Sequence, residues 1–266
     1  MPTAWPIKTR EFRNHHFDST VWNGFPFRDD DIVVATYAKA GTTWLQQIVA
    51  QLVFAGDPDV LVNEISPWLD LRVPPAEVKL AQLEAQSHRR IIKTHLPVDA
   101  LVLSPKARYL YVARDGRDIA FSLHHHHLSA NALWYELLND TPGLVGPPIG
   151  KPDPDPRAYF RAWLEQDGHP FWSFFENVSS WWRVRELPNV LLVHFNSLKA
   201  DLEGEMRRIA EFLGVTASSA TWEEMVAHCR FDWMKAHARQ VAPLGGAIFE
   251  GGAESFINKG TNGRWS

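Results

Sequence analysis

The sequence predicts an α/β fold in which one domain, spanning residues 1–266, has a parallel β-sheet covered by helices on both faces. Two observations predict it. Four short, continuously apolar segments recur along the chain, and amphipathic segments with helical spacing follow most of them. Continuous apolar strands are typical of a parallel sheet that is buried on both faces. In such sheets, ligands bind beyond the carboxyl ends of the strands, so candidate functional residues are sought there.

The first unit is a strand, a tight loop and a helix. Ile32–Thr36 is short, apolar and β-branched, which favours a strand, and residues 37–41 interrupt it. From Thr42 onward the apolar residues fall at helical spacing with one buried face, and this helix is expected to end at Gly56. The unit therefore predicts a P-loop-like strand–loop–helix.

The same pattern returns three times. The further strand candidates are Ile91 and Ile92, Tyr109–Ala113, and Val190–Phe195. A helix is predicted from about Arg117 after the second of these, and another from Asp201 to Leu213 after the third. Residues 139–156 are rich in Pro, Gly and Asp, which predicts a long surface loop. Such loops are often lids over a site, and a mobile insertion without a role is the alternative.

Composition excludes several classes of protein. The net charge of −4 argues against a nucleic-acid partner. The lone cysteine, Cys229, excludes a disulfide scaffold and fits a reducing compartment. No apolar stretch approaches the roughly 18 residues that cross a bilayer, and the N-terminal residues carry charges where a signal peptide needs an apolar core. We therefore expect a cytoplasmic protein without a membrane partner; the oligomeric state stays open.

The loop after the first strand has the composition of an anion site. In TYAKAGTTW, residues 36–44, the backbone N–H groups and the positive end of the helix dipole point the same way. Gly41 permits close approach, Thr42 and Thr43 add hydroxyl donors, and Lys39 adds an ammonium. A plain turn capped by Thr42 is the alternative. The loop lacks the G-K-[ST] ending of the nucleoside triphosphatase motif.

Two further segments carry candidate functional residues. In YVARDGRDIAFS, Arg114 lies at a strand end and Ser122 two helical turns later, which suits a terminal phosphate unless Arg114 only forms a surface network with nearby Asp residues. In IIKTHLP, strand alternation places Lys93 and His95 on the same side. A single histidine is more often structural, but a base beside a lysine and near an anion loop fits a transfer site.

These segments together resemble the cytosolic-type sulfotransferase family. TYAKAGTTW is similar to the family's 5′-phosphosulfate loop T-Y-P-K-[SA]-G-T-T-W, with Ala38 in place of proline. YVARDGRDIAFS is similar to its Y-V-x-R-N-x-x-D-x-x-x-S segment, and KTHLP matches the segment that carries its general base. FINKGTNGRW resembles F-x-R-K-G-x-x-G-x-W, with Asn258 where arginine is usual.

The resemblance implies the donor 3′-phosphoadenosine 5′-phosphosulfate (PAPS) and no metal. The implied donor-binding residues are Lys39, Ala40, Gly41, Thr42, Thr43, Trp44, Arg114, Ser122, Phe195, Phe231, Asn258, Lys259 and Gly260. His95 is expected to take the proton of an acceptor hydroxyl during direct in-line transfer, while Lys39 and Lys93 stabilise the charge on the leaving nucleotide. The implied lining of the acceptor pocket is Phe25, Trp68, Leu71, His124 and His126. An apolar pocket favours a small hydrophobic or phenolic acceptor.

Other functions remain open at this point. A P-loop-type nucleotide kinase or other phosphoryl transferase shares the architecture, and a non-catalytic nucleotide-binding protein shares the loops. Sulfonation of an alcohol followed by elimination is a further variant. The four consecutive histidines 124–127 point in different directions on a helix, so they do not predict a common metal site. The additional helix that the family usually has after its last motif is not expected in this sequence, which ends at Ser266.

Overall fold

The protein is described by a computed structural model that covers residues 5–263 and 265. Its sheet has four parallel strands in the order β2-β1-β3-β4. The strands are β1, Ile32–Thr36; β2, Ile91–Thr94; β3, Arg108–Ala113; and β4, Val190–His194. The single α/β unit with helices on both faces of a parallel sheet confirms the predicted fold class.

The helices surround this sheet. In the described ranges they are α1, Thr42–Val53; α2, Val62–Ile65; α3, Ala76–Glu84; α4, Gly116–Leu128; α5, Ala132–Asn139; α6, Pro156–Glu165; α7, Phe174–Arg183; α8, Phe195–Ala200; α9, Leu202–Leu213; α10, Ser219–His228; α11, Phe231–Ala236; α12, Ala238–Val241; and α13, Gly252–Phe256. Short 3₁₀ turns occupy Ser19–Trp22, Val98–Ala100 and Pro243–Gly246. None of the helices at residues 5–263 and 265 is long and apolar enough to cross a bilayer.

Alternation along the strands creates two cores. Val33 and Ala35 of β1 face a core that also contains the buried rings of Trp172 and Trp181. Their neighbours in β1 face the opposite core, which α1, α9 and α10 cover. Since both faces of each central strand are buried, the strands read as continuous apolar segments in the sequence.

Several predicted boundaries shift by a few residues. β2 extends to Thr94, α1 ends at Val53 rather than at Gly56, and Phe195 begins α8 instead of closing β4. Asp201 lies outside α9 as its N-cap, and its carboxylate accepts a hydrogen bond from the Gly204 amide at 2.9 Å. Capping by the side chain explains this last difference, because Asp favours the cap over the helix interior.

The predicted loop at 139–156 begins at the last residue of α5 and ends at the first residue of α6, and residues 140–155 between them contain neither helix nor strand. Two reciprocal hydrogen bonds connect the start of this loop to its middle. The Asn139 side-chain amide donates to the Ile149 carbonyl at 3.0 Å, and the Ile149 amide donates to Asn139 Oδ1 at 2.9 Å. The Arg72 guanidinium donates to the Leu138, Thr141 and Pro142 carbonyls. These contacts hold residues 138–142 and Ile149 in place.

A buried ion pair fixes the amino ends of β1 and β2. The Arg90 guanidinium donates to both carboxylate oxygens of Asp31, and both side chains are 1% exposed. The Ile32 amide also donates to the Arg90 carbonyl at 2.9 Å. The Phe25 ring lies 5.1 Å from the guanidinium carbon. The pair therefore holds the sheet at the edge opposite to its carboxyl ends.

We expect Asp31→Ala to lower the free energy of unfolding by about 3–5 kcal/mol, because the buried charge of Arg90 then keeps only the exposed carboxylate of Glu84, 4.0 Å away. Urea unfolding measures this loss. Asp29→Ala is the matched control: its side chain is 86% exposed and contacts Lys106 at 3.6 Å, so the change should stay within about 0.5 kcal/mol. Equal losses in both variants would contradict a role of the buried pair.

Candidate active site

A cavity of about 1200 Å³ opens at the carboxyl ends of the strands. Its walls include the loop after β1, the end of β2, the turn after β3, and the segment at residues 256–261. A drug-sized ligand typically occupies a cavity of about 300–1,000 Å³, so this one has room for two bound molecules. The position agrees with the general rule for open α/β sheets.

The loop between β1 and α1 presents free amides to the cavity. The first helical hydrogen bond runs from the Leu45 amide to the Gly41 carbonyl at 3.0 Å, so the amides that precede Leu45 in α1 have no partner within the helix. Gly41 has a φ of 120°, and a Cβ there would lie 2.9 Å from the Phe195 ring. The loop therefore needs glycine at this position, and the N-terminus of α1 forms an anion site.

Two lysines place positive charge at this site. Burial, together with repulsion from Lys93 and Arg114, lowers the pKa of Lys39 from 10.5 to about 7. Burial also lowers the pKa of Lys93 to about 8, which Asp70 partly offsets. Within the described residues, neither ammonium has a carboxylate within 4 Å. Their contacts are aromatic: Lys39 Nζ lies 4.7 Å from the Phe256 ring centroid, and Lys93 Nζ lies 4.6 Å from that of Trp68.

The orientation of His95 follows from its hydrogen bonds. Its Nδ1 lies 2.7 Å from the Thr36 carbonyl oxygen, which can only accept, so Nδ1 carries the proton. This leaves Nε2 with a lone pair. The Thr36 hydroxyl also contacts Nδ1 at 2.9 Å and the Thr42 hydroxyl at 2.6 Å, so one residue at the end of β1 connects the histidine to the anion loop.

Burial and the nearby Lys93 ammonium lower the pKa of His95 well below 6.5. The imidazole is therefore neutral at neutral pH, and a neutral imidazole with a free Nε2 can accept a proton. Asp70 positions Trp68, which forms the cavity wall next to His95. The Asp70 carboxylate accepts hydrogen bonds from the indole N–H groups of Trp22 and Trp68. The Trp68 ring then lies edge-on to His95, with ring centroids 4.5 Å apart.

Arg114 joins the second part of the site. Its guanidinium lies 4.2 Å from the Phe195 ring centroid and donates to the carbonyls of Lys39 and Thr261. Ser122, on the second turn of α4, lines the same cavity. The structure thus brings together the two residues that the sequence predicts for a terminal phosphate.

The C-terminal segment closes this side of the cavity. Asn258, Lys259 and Gly260 all line it, as predicted from the sequence. The Gly260 carbonyl accepts a hydrogen bond from Lys199 Nζ at 2.9 Å, and a Cβ on Gly260 would lie 2.7 Å from the Phe231 ring. Glycine therefore allows the segment to lie directly against Phe231.

The aromatic residues predicted for a flat base also lie at the cavity. Trp44 and Phe231 both line it. The Trp44 indole donates to the Cys229 carbonyl at 2.8 Å, and its ring lies edge-on to Phe195 at 5.3 Å. Of the acceptor-side predictions, Trp68, Leu71 and His126 line the cavity as well.

Three predicted site residues do not line the cavity. Phe25 packs on Arg90 at the amino ends of the strands, the opposite edge of the sheet. His124 is about 200° around α4 from His126, and its Nε2 donates to the Asp153 carbonyl at 2.8 Å. Ala40 is buried in the core, and its amide donates to the Tyr37 carbonyl. The predicted loop at residues 139–156 contributes no lining either, and its role as a lid stays a prediction.

Other lining residues were missed by sequence reasoning. The aromatic wall includes His16, Trp134, Phe171 and Trp172, and Lys199 borders the C-terminal segment. The adjacent histidines at positions 15 and 16 and the many tryptophans were visible signals. Their place at the cavity depends on how the N-terminal segment and α5 pack on the sheet, which no local pattern specifies.

Comparisons with known proteins identify the family. The model of the sulfotransferase domain family matches residues 29–266. The chain belongs to this family. A glycolipid sulfotransferase of Mycobacterium bovis is 32% identical over 96% of this chain and 84% of the relative. Human sulfotransferase 1E1 is 29% identical over 91% of this chain and 79% of its own length.

Solved structures show the same fold. Retinol dehydratase in complex with retinol and adenosine 3′,5′-bisphosphate (PAP) has a TM-score of 0.69 at 23% identity and covers 92% of this chain and 78% of its own. Mouse sulfotransferase SULT7A1 complexed with PAP has a TM-score of 0.68 at 22% identity, with coverage of 96% and 84%. With the family established, this sulfotransferase is a PAPS-dependent transferase.

We expect Lys39→Met to stabilise the free protein and to weaken PAP binding. The wild-type pKa of about 7 lies below that of the unfolded chain, so the folded state resists protonation and gains stability as pH rises from 7 toward 10. Removing the group should raise the free energy of unfolding at pH 7 by about 0.5–2 kcal/mol. The lost charged hydrogen bond should weaken PAP binding by about 10-fold or more.

Urea unfolding and titration calorimetry measure the two effects. Because a bound anion stabilises the charged form of Lys39, the wild-type affinity for PAP should also fall between pH 7 and 9. Lys106→Met, at the exposed far end of the sheet, is the control and should change neither quantity. Undiminished PAP binding by Lys39→Met would contradict the assignment of this lysine to the anion site.

Proposed function

We propose that this sulfotransferase moves the sulfuryl group of PAPS directly to a hydroxyl of a small acceptor with an apolar body, and that His95 is the general base. The orientation of His95 carries this proposal. Its Nδ1 donates to the Thr36 carbonyl, so Nε2 is left as a proton acceptor in a cavity that two half-buried lysines also line.

The chemistry of the cavity fits the donor. Lys39, the amides at the start of α1 and the Thr43 hydroxyl suit the 5′-phosphosulfate. Arg114 and Ser122 suit the 3′-phosphate together with Lys259, and Trp44 and Phe231 suit the adenine. Lys39 and Lys93 are half-buried, and neither ammonium has a carboxylate of the described residues within 4 Å, which supports a ligand that brings negative charge. When bound, PAPS supplies the sulfuryl group and a leaving nucleotide.

The residues of the chain then have separate tasks. His95 Nε2 removes the proton of the acceptor hydroxyl, and the Thr36 carbonyl holds the ring in this tautomer. Lys39 and Lys93 hold positive charge where negative charge accumulates on the leaving group. His95 is buried and the two lysines are half-buried, and partial exclusion of water strengthens their electrostatic interactions because it lowers the local dielectric. No residue of the chain needs to carry the sulfuryl group covalently.

The acceptor half of the cavity supports a hydroxyl on an apolar body. Its walls near His95 are aromatic and aliphatic and consist mainly of Trp68, Leu71, Trp134, Phe171 and Trp172. Such walls favour phenols, hydrophobic alcohols or the lipid-like part of a larger molecule. The relatives named glycolipid sulfotransferases are consistent with this class.

We expect His95→Ala to lower kcat at least about 100-fold, the usual contribution of a general base. PAP binding should change little, because His95 faces the acceptor rather than the predicted phosphate sites. Turnover of PAPS with 2-naphthol measures the first effect, and calorimetry measures the second. His124→Ala removes a buried histidine outside the cavity and should retain near-normal turnover. A His95→Ala variant within about twofold of wild-type turnover would contradict the proposal.

A further inference from the structure

The N-terminal segment places a second buried histidine in the acceptor half of the cavity. His16 is 4% exposed and lines the cavity wall. Its ring centroid lies 5.8 Å from that of Trp68 and 5.7 Å from that of Trp172. His95 contacts the same two tryptophans, at 4.5 Å and 5.7 Å. The two imidazoles therefore flank one aromatic surface.

A chain of hydrogen bonds fixes the tautomer of His16. His15 Nε2 lies 2.9 Å from the Pro170 carbonyl oxygen, which can only accept, so this nitrogen carries the proton. In a neutral ring, His15 Nδ1 is then an acceptor. It is hydrogen-bonded to His16 Nδ1, which must therefore donate. The proton of His16 is on Nδ1, and its Nε2 has a lone pair.

Both rings are neutral in this arrangement, as the tautomer argument requires. Burial lowers the pKa of His15, and the nearby Arg72 adds to the shift. Burial lowers the pKa of His16 well below 6.5, and the positive charge of Arg72 adds to the shift. A charged pair at this place would put two repelling cations in an apolar wall.

His16 Nε2 has no hydrogen-bond partner among residues 5–263 and 265, although its ring belongs to an aromatic wall. His16 Nε2 is also not among the unpartnered side-chain atoms that are closed off from solvent. It is therefore available to a hydrogen-bond donor that enters the cavity, whereas a phenylalanine in the same wall would offer no acceptor. The arrangement of His15 and Pro170 decides the character of this atom, because it puts the proton of His16 on Nδ1 and leaves Nε2 as an acceptor in a residue that lines the cavity.

We propose that His16 determines acceptor specificity: its Nε2 accepts a hydrogen bond from a second hydroxyl of the acceptor, while the reacting hydroxyl meets His95. His15 is its positioning residue. This inference rests on the proposed function and narrows the acceptor to an apolar molecule with two hydrogen-bond donors, such as a diol or a bisphenol. A site built to bind a hydroxyl discriminates against the analogue that lacks it, because its own polar atom then stays unpaired.

The tautomer itself is the first test and needs no activity. Two-bond ¹H–¹⁵N correlation spectra of the ¹⁵N-labelled protein at pH 7.5 distinguish protonated from unprotonated ring nitrogens. The His16 signals are assigned by their loss in His16→Phe. We expect a protonated Nδ1 and an unprotonated Nε2. A proton on Nε2, or a charged ring, would overturn the inference.

Selectivity is the second test. The probes are 2,6-dihydroxynaphthalene and 6-methoxy-2-naphthol, which differ in one hydrogen-bond donor. After correction for the two equivalent hydroxyls of the diol, wild-type kcat/KM should favour it by about 10-fold, the effect of one satisfied buried acceptor. His16→Phe should bring this ratio near 1, and His16→Gln, which retains an acceptor, should restore part of it.

Two further variants separate positioning from packing. His15→Phe should lower the same ratio and release the tautomer of His16, and His15→Asn, whose carbonyl can replace Nδ1 as acceptor, should restore both. His124→Phe removes a buried imidazole outside the cavity and should leave the ratio unchanged. A ratio that His16→Phe leaves at the wild-type value would overturn the inference, even if both naphthols are sulfated normally.

Binding distinguishes this inference from the proposed function. Tryptophan fluorescence of the PAP-saturated protein gives the Kd of each naphthol without turnover. If the diol binds more tightly through His16 but no naphthol is sulfated, the inference holds and the proposed function fails. If both naphthols are sulfated and bind equally well to wild type and His16→Phe, the inference fails and the proposed function holds.

Discussion

Positive charge that is half-buried at the carboxyl edge of the sheet is the constraint on which the site depends. The pKa values of Lys39 and Lys93 fall to about 7 and 8 because the protein withdraws both ammonium groups from water. Aromatic faces, rather than carboxylates of the described residues, lie against them. This arrangement is unfavourable in the free protein and becomes favourable when an anion enters. A site of this kind sacrifices stability for function.

The parallel sheet brings these groups together. The ends of β1 and β2 are adjacent, so Thr36 can bind His95 through its carbonyl and Thr42 through its hydroxyl. The same short contact thus orients the proposed base and connects it to the anion loop. At the other edge of the sheet, the pair of Asp31 and Arg90 fixes the register of these two strands. The ion pair at the amino ends of the strands thus supports the placement of Lys39 and Lys93 at the carboxyl ends.

Local patterns were sufficient for the parts of the site that lie within one strand–loop–helix unit. Gly41 and Lys39 lie in the loop that follows β1, and Lys93 and His95, at the end of β2, line the same cavity. The prediction that Phe25 and His124 line the acceptor pocket was wrong. Phe25 packs on Arg90 at the amino ends of the strands, and His124 binds the Asp153 carbonyl outside the cavity. His16 was missed, because its place depends on where a segment without regular structure crosses the aromatic core. Contacts between distant segments leave little trace in local spacing.

Thermal unfolding with PAP tests the central claim most directly, in parallel with ATP plus magnesium. A ligand at about 100 times its Kd stabilises the fold by about 2.7 kcal/mol, or roughly 5–10 °C for a chain of this size. The account predicts that PAP alone raises Tm by this amount, because Lys39 and Lys93 gain an anionic partner. A rise in Tm with ATP and magnesium but none with PAP would contradict it, and would indicate phosphoryl transfer instead.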